Sequence, residues 1–473
     1  MIEVIHNETT WAQKTFGSAN LGDARLNQRL IKIADQAARQ PHVLLTKVFK
    51  DTNHLAASYA FVENDRIAPA EILRAIGSAS AKEAAQYPVV YVATDGSSVS
   101  ITDRSRSKQT GRIGSSNYAG RGDKVHTALL MDPSGIPIGI SDMQFWRRTG
   151  KPRNKKHASL KTEEKETQRW LDARCSVRTQ LAQYAPGTRP VFLHDREADA
   201  WPILLDAIKH RDTEDTIIRA NWNRRVIPVD VEKQDERVLL RDQLATTAVC
   251  GTYVLSVHGG PNRTARLATM NVRSALLTLA LPNKKVGTPS DVRFHVVQAT
   301  EVSAVPDGQK AIEWLLYTTR EITSFEDAMI VVDAYRARWR IEEFHRAWKS
   351  GGTDVERIQI HSANGREKWL FILAAIACRS VRLAYLNKHP NDADPHQEFS
   401  DEEIAMVSAV EKNGRKAATG AITINRMIHQ IAILGGYVPQ KCNPYPGPQT
   451  IIRGLFCLAD MLHGSQITQR ETA

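Results

Sequence analysis

A chain of 473 residues can hold roughly two to four domains and at least one substantial core. Its 42% hydrophobic and 24% charged content is that of a folded globular protein and excludes a mainly disordered one. A formal net charge of +11 makes a polyanion, nucleic acid above all, the leading class of partner.

In chain order, the first seventy residues read as helical. "GDARLNQRLIKIADQAARQ" sets Leu26, Leu30, Ile33 and Ala37 at helical spacing, with Arg25, Arg29 and Lys32 on another face. A second helix is expected over "NHLAASYAFVEN". The character changes near Tyr87. "PVVYVATDGSSVSI" is rich in β-branched residues, "HTALLMDPSGIPIGI" holds a Pro-Ser-Gly turn between apolar runs, and "RPVFLHD" reads as a short buried strand before the helix "EADAWPILLDAIKH". These alternations predict a mixed α/β core. From about 226 to 309 short β segments separated by Gly, Pro and Asn form a β-rich insertion, which "AIEWLLYTT" closes. Ser324 then opens a long helix with Glu326 and Asp327 in its first turn, where acids suit the helix dipole. Beyond about Ser350 the chain returns to helix. Five scattered cysteines, Cys175, Cys250, Cys378, Cys442 and Cys457, without a C-x-x-C pair, argue against a disulfide framework and a zinc module. "MIEVIHNETTWAQ" does not fit a signal peptide, and the apolar run "WLFILAAIAC" falls short of the roughly 18 residues of a membrane span, so the expected location is the cytoplasm.

Chemistry concentrates on "YRARWRIEEFHRAWKSG". With Tyr335 as origin on a 3.6-residue helix, Arg338, Glu342, Arg346 and Lys349 all fall within about 60 degrees of it, while Ala337, Ile341, Phe344 and Trp348 make an opposite, core-facing ridge. Glu343 sits about 100 degrees from Glu342, so the two glutamates cannot share a role. Taken alone, the stretch favours a surface salt-bridge ladder of Arg338, Glu342 and Arg346. Two aspartates, Asp95 expected to end or interrupt the strand "VVYVATD" and Asp195 to end "VFLHD", offer the alternative. Each by itself reads as a turn residue or helix cap, but with Glu342 they form a set of three hard oxygen ligands. Three such carboxylates crowded together call for a divalent cation. Basic runs at "WRRTGKPRNKKHASLK", with Arg147, Arg148, Lys151, Arg153, Lys155 and Lys156, and at "RSRSKQTGR" are candidate patches for a nucleic-acid backbone.

With these residues in place, the chain resembles the IS-four family of DDE transposases. Tyr335, Arg338, Glu342 and Lys349 match that family's Y-(2)-R-(3)-E-(6)-K signature. "HDREADAW" at Asp195, "VATDGSSVS" at Asp95, "EWLLYTT" at Trp314, "WAQKTFGSANLGDARLNQRL" near the start and "LGGYVPQ" near the end follow in the same order. The resemblance implies a ribonuclease-H-like catalytic core with a β-rich insertion, flanked by α-helical domains. The expected layout is a DNA-end-binding domain over 1–70, a catalytic domain over 71–370 and a dimerisation domain over 371–473.

It further implies that Asp95, Asp195 and Glu342 are catalytic and hold Mg²⁺ or Mn²⁺. Tyr335, Arg338 and Lys349 would hold phosphates beside the scissile bond, Trp314 would stack on a displaced base, and Arg219 in "TIIRANWN" would lie near the DNA. Arg346 on the same helix stripe, and Arg25 and Arg29 in the first domain, are further expected DNA contacts. The implied activity is cut-and-paste transposition through hairpin ends, by a homodimer on two transposon ends in a bacterial cytoplasm, associated with the nucleoid. A metal-dependent endonuclease of the same fold and a catalytically silent end-binding repressor are the competing functions. The retained carboxylates speak against the repressor.

Overall fold

The computed structural model of the chain describes residues 10–114, 120–148, 160–227, 238–260, 263–280, 291–389, 394–412, 422–440 and 444–472. Five helices open it: α1 (Trp11–Phe16), α2 (Ala24–Arg39), α3 (Leu45–Val48), α4 (Thr52–Val62) and α5 (Pro69–Ala84). Asp23 begins α2 by accepting a hydrogen bond from the Arg25 N–H, and Leu30, Ile33, Ala34 and Ala37 then bury the face that their spacing predicts.

Strands β1 (Val89–Ser100), β2 (Gly111–Arg112), β3 (Arg121–Met131) and β4 (Pro137–Trp146) follow, then α6 (Gln168–Tyr184), β5 (Arg189–His194), α7 (Trp201–Lys209) and β6 (Asp215–Arg219). The turn between β3 and β4 is the expected one. Asp132 accepts from the N–H groups of Ser134 and Ile136, and Gly135 takes a φ of +78° that a residue with a Cβ would resist. The inserted segment carries β7 (Arg225–Ile227), β8 (Val238–Leu239), α8 (Leu240–Thr246), β9 (Gly251–Val257), β10 (Arg266–Ala280) and β11 (Asp291–Glu301). It leads into β12 (Glu313–Thr318), α9 (Phe325–Ala337), α10 (Arg340–Ser350), α11 (Ala363–Lys388), α12 (Asp401–Lys412), α13 (Ile424–Leu434) and α14 (Pro448–Thr472).

All twelve strands join one mixed sheet of order β2-β3-β1-β5-β6-β12-β11-β10-β7-β8, with β4 on β3 and β9 on β10. β1 runs antiparallel to β3 and parallel to β5, and β5 parallel to β6. The insertion extends this sheet rather than folding apart from it, because β12 pairs with β6 on one side and β11 on the other.

One face of the central strands, with Ala93, Leu193, Ile217 and Leu316, packs in a single core with α9, α10 and α11. On the other face Val92 and Phe192 pack on Ala173 and Val177 of α6.

Several expectations are corrected. The long helix from Ser324 is two helices. Ser324 and Asp327 do form the cap, but Arg338 and Trp339 make a tighter turn in which N–H groups bond three residues back, Arg338 to Tyr335 and Ile341 to Arg338. Asp95 lies inside β1, not at its end, because Gly96 to Ser100 go on pairing with β3. The run read as too short to span a membrane belongs to the 26-residue α11, long and apolar enough to cross one by length and composition. Protein buries 94% of its apolar window, however. Arg366 and Lys368, fully buried, find partners in Asp123 and in the carbonyls that end α4. Cys175, Cys250, Cys378 and Cys457 are free thiols, and Cys442 lies outside the described residues.

Candidate active site

Parallel pairing of β1 and β5 ends at the rung Thr94–His194, so Asp95 and Asp195 are each the next residue beyond the last shared rung. Strand alternation turns both toward the face covered by α9 and α10. There the tight turn between those helices delivers Arg338, and the first turn of α10 delivers Glu342. Arg338 Nη2 donates to Glu342 Oε1 at 2.5 Å. The Arg338–Glu342 half of the expected ladder therefore exists, but half-buried beside Asp95 rather than in solvent. Arg346 is exposed. Glu343 points elsewhere, accepting a hydrogen bond from the Tyr385 hydroxyl at 2.5 Å.

The electrostatics follow from this crowding. Burial, then the Asp195 charge, push the Asp95 carboxyl up to about 7; Glu342 and Glu197 add to the rise and Arg338 opposes it. Burial also raises Asp195, against Arg338 and the backbone N–H groups of Glu197 and Ala198, the first of which donates to its Oδ1 at 3.0 Å. Tyr335 is buried, which raises its phenol. Its ring lies 5.9 Å from that of Trp314, edge-on, and the Arg338 guanidinium sits 5.9 Å from its centroid. Arg219, at the end of β6, donates from Nη2 to the Glu313 carbonyl at 3.1 Å and interacts with Tyr335, while its buried Nε has no partner among the described residues. Lys349 lies in the last turn of α10, and burial lowers its pKa. Trp314, half-buried on β12, packs against the core.

Three residues here escaped the sequence reading. Glu197, two residues past Asp195, has its carboxyl raised by burial and by Asp195. Lys124 on β3, lowered by burial, interacts with Asp95 and Glu197. His345 Nδ1 lies 3.9 Å from Asp95 Oδ2, and its Nε2 is 3.2 Å from the Thr127 hydroxyl. Two of them lie in blocks already quoted, Glu197 in "HDREADAW" and His345 in "YRARWRIEEFHRAWKSG", without a role assigned there.

The basic candidates divide. Arg147 is paired with the fully buried Asp123 and with Glu367, at 2.9 and 2.8 Å, and Arg148 with Glu166 at 2.5 Å. These two arginines hold the end of β4 to its surroundings instead of forming a free cationic patch. Lys151, Arg153, Lys155 and Lys156 lie outside the described residues. On α2 Arg25 is exposed and bonded to Asp23 at 3.0 Å, and Arg29 is half-buried on the same helix.

As a donor set, Asp95, Asp195 and Glu342 fit a hard divalent cation: oxygen ligands, largely buried, with negative charge exceeding the positive. Their carboxylates are not drawn together, since Glu342 is turned to Arg338. Among the described residues the three ligand atoms that do lie within 4.8 Å of one another belong to Asp206, His210 and Glu214. In that group Arg174 and Arg178 already hold both carboxylates. Its charge is balanced by side chains, so it fits a structural ion-pair cluster rather than a metal centre.

Residues 8–67 match the family model described as transposase DNA-binding, and residues 310–379 match the one described as transposase DDE domain. The two matches support a DDE-type DNA transposase. The first covers α1 to α4. The second covers β12, α9, α10 and part of α11, with Trp314, Tyr335, Arg338, Glu342 and Lys349, whereas Asp95 and Asp195 lie outside both. Among solved structures, the chain is similar to a piggyBac transposase described in a synaptic complex with hairpin DNA. That likeness has 8% identity and a TM-score of 0.32 and covers 94% of this chain and 73% of that one. At that level it carries no argument about mechanism.

Proposed function

We propose that this chain is a cut-and-paste transposase of the IS-four kind, with a ribonuclease-H-like core, that excises its element through hairpin ends and joins the 3′ ends to target DNA. The observation that carries the reading is the register of β1 and β5. It sets Asp95 beside Asp195 under the turn that presents Arg338 and Glu342, within the stretch that matches a transposase DDE domain. The order of the central strands, β4-β3-β1-β5-β6, with two antiparallel and then two parallel pairings, is consistent with such a core.

In this reading Asp95, Asp195 and Glu342 hold Mg²⁺ or Mn²⁺. When bound, such ions supply Lewis-acid activation of a water or 3′-hydroxyl and stabilisation of the leaving oxygen. The protein's own residues do the rest. Arg338 exchanges its partner Glu342 for a phosphate oxygen, which its planar fork suits, as Glu342 turns toward the two aspartates. Lys349 adds a point charge on the same side, and Tyr335 positions Arg338 through its ring face. Trp314 takes the displaced base of the hairpin step. The first helices bind the transposon end, and the helices after α11 form the contacts of a homodimer in a bacterial cytoplasm.

The test is an in vitro reaction of the purified protein with Mg²⁺ and a plasmid carrying the DNA ends that flank its gene. Excised fragments with hairpin ends and end-joined products are expected. Cleavage without joining would favour the endonuclease, and binding without cleavage the repressor.

A further inference from the structure

Behind the two aspartates, on the opposite face of the sheet, runs a chain of buried side chains that no step above uses. Thr94 and His194 form the last rung shared by β1 and β5, and both are fully buried. His194 Nδ1 is 2.5 Å from Thr94 Oγ1, and its Nε2 is 2.8 Å from Arg174 Nη1. The proton positions follow from the chemistry. A guanidinium can only donate, so Nε2 must accept, which leaves the proton on Nδ1 to be donated to the Thr94 hydroxyl.

Arg174, itself fully buried on α6, is held from three directions. It donates from Nε to Asp206 at 2.6 Å, from Nη2 to Thr216 at 3.0 Å on β6, and also to Glu214. Its guanidinium lies over the Phe192 ring, 4.3 Å from the centroid. One side chain thus ties α6, α7, β5 and β6 to a ring that in turn ties β5 to β1.

We propose that the Thr94–His194–Arg174 chain is a positioning device that fixes the spacing of Asp95 and Asp195. Past the Thr94–His194 rung no ladder bond joins the two strands, so the separation of the aspartates depends on how firmly that rung is held. A directional side-chain bridge across it, anchored to a buried arginine, fixes both the strand separation and the rotation of each strand about its axis. Those two quantities set where the next residues point. Because the chain lies on the far face, it acts through the backbone and touches no substrate.

The inference rests on the reading of Asp95, Asp195 and Glu342 as the metal-holding set. Its test is Mn²⁺ binding to the full-length protein, read as loss of the free-ion electron paramagnetic resonance signal, with thermal unfolding recorded on the same samples. Thr94→Val keeps the shape and removes the hydroxyl acceptor; it is expected to weaken Mn²⁺ binding about 10- to 100-fold. Thr94→Ser, which restores the acceptor, is expected to bind as wild type does. A role in folding alone would reduce how much protein binds but not how tightly the folded fraction binds.

Wild-type affinity in folded Thr94→Val overturns the inference. Should Thr94→Val not fold, the pair His194→Gln and His194→Met carries the same comparison. Gln retains an acceptor and a donor and is expected to bind within about threefold of wild type, Met about tenfold or more weaker; equal affinities in the two would overturn the inference. Absence of saturable binding in wild type, or its persistence in Asp95→Ala, would instead overturn the metal reading of the site, and this inference with it.

Discussion

On one side of the sheet Asp95, Asp195, Glu197 and Glu342 lie together, with Glu342 paired to Arg338 and Lys124 interacting with Asp95 and Glu197. On the other, Asp206 and Glu214 meet two guanidiniums, those of Arg174 and Arg178. The two groups share residue types and much of their burial, yet Asp95 and Asp206 respond in opposite directions. Asp95 is pushed up to about 7, whereas at Asp206 the hydrogen bonds and charges of Arg178 and Arg174 outweigh burial and hold the carboxyl below its ordinary range. Closeness of ligand atoms alone does not separate a cation site from an ion-pair cluster. The two differ in charge balance: two arginines pair with both carboxylates of the second group, and one with Glu342 in the first.

That contrast can be broken from either side. The largest effect belongs to the balanced cluster: Glu214→Ala leaves the fully buried Arg174 short of a partner and should cost about 3–5 kcal/mol in urea unfolding at pH 7. A loss below about 1 kcal/mol would mean the pair is not structural.

Next comes Asp95→Asn, assayed without metal. A carboxyl raised in the folded state contributes stability that is present below its unfolded pKa, near 4, and is lost as pH rises through about 7. The variant and wild type should therefore be equally stable near pH 4, and the variant about 2–4 kcal/mol more stable at pH 8. Asp206→Asn should do the reverse, being the less stable of its pair at pH 7 and converging with wild type as pH falls through the lowered Asp206 pKa.

The smallest effect separates phosphate-facing from structural cations. Lys349→Ala should reduce the salt dependence of DNA binding by about one unit of slope, and Arg147→Ala, whose partners are Asp123 and Glu367, should leave the slope unchanged. Equal slopes for both variants would remove the distinction.

Much of this was legible in the residues because periodicity is local. The helical spacing that put Tyr335, Arg338 and Glu342 on one side and Ile341, Phe344 and Trp348 on the other survives the break at Trp339, since both residues of the turn keep helical dihedrals. The β-branched runs marked the central strands. The strand continues past Asp95, as the run "PVVYVATDGSSVSI" allows, because Gly96 to Ser100 pair with β3.

Partners remote in sequence were hidden. Nothing around Arg147 or Arg148 announces Asp123, Glu367 or Glu166. Nothing in "VFLHD" shows that its histidine is bound by an arginine on α6.

The most direct test of the central claim is Mg²⁺-dependent cleavage of end-bearing DNA by wild type and by Asp95→Ala, Asp195→Ala and Glu342→Ala, at matched folded concentrations and with a chelator control. Each variant, and wild type with the metal removed, should lose more than about a hundredfold in rate while still binding the ends, since even groups that only support a metal ligand are worth about 10- to 100-fold. Wild-type cleavage by any one of the three, or undiminished cleavage with the metal removed, would contradict the account.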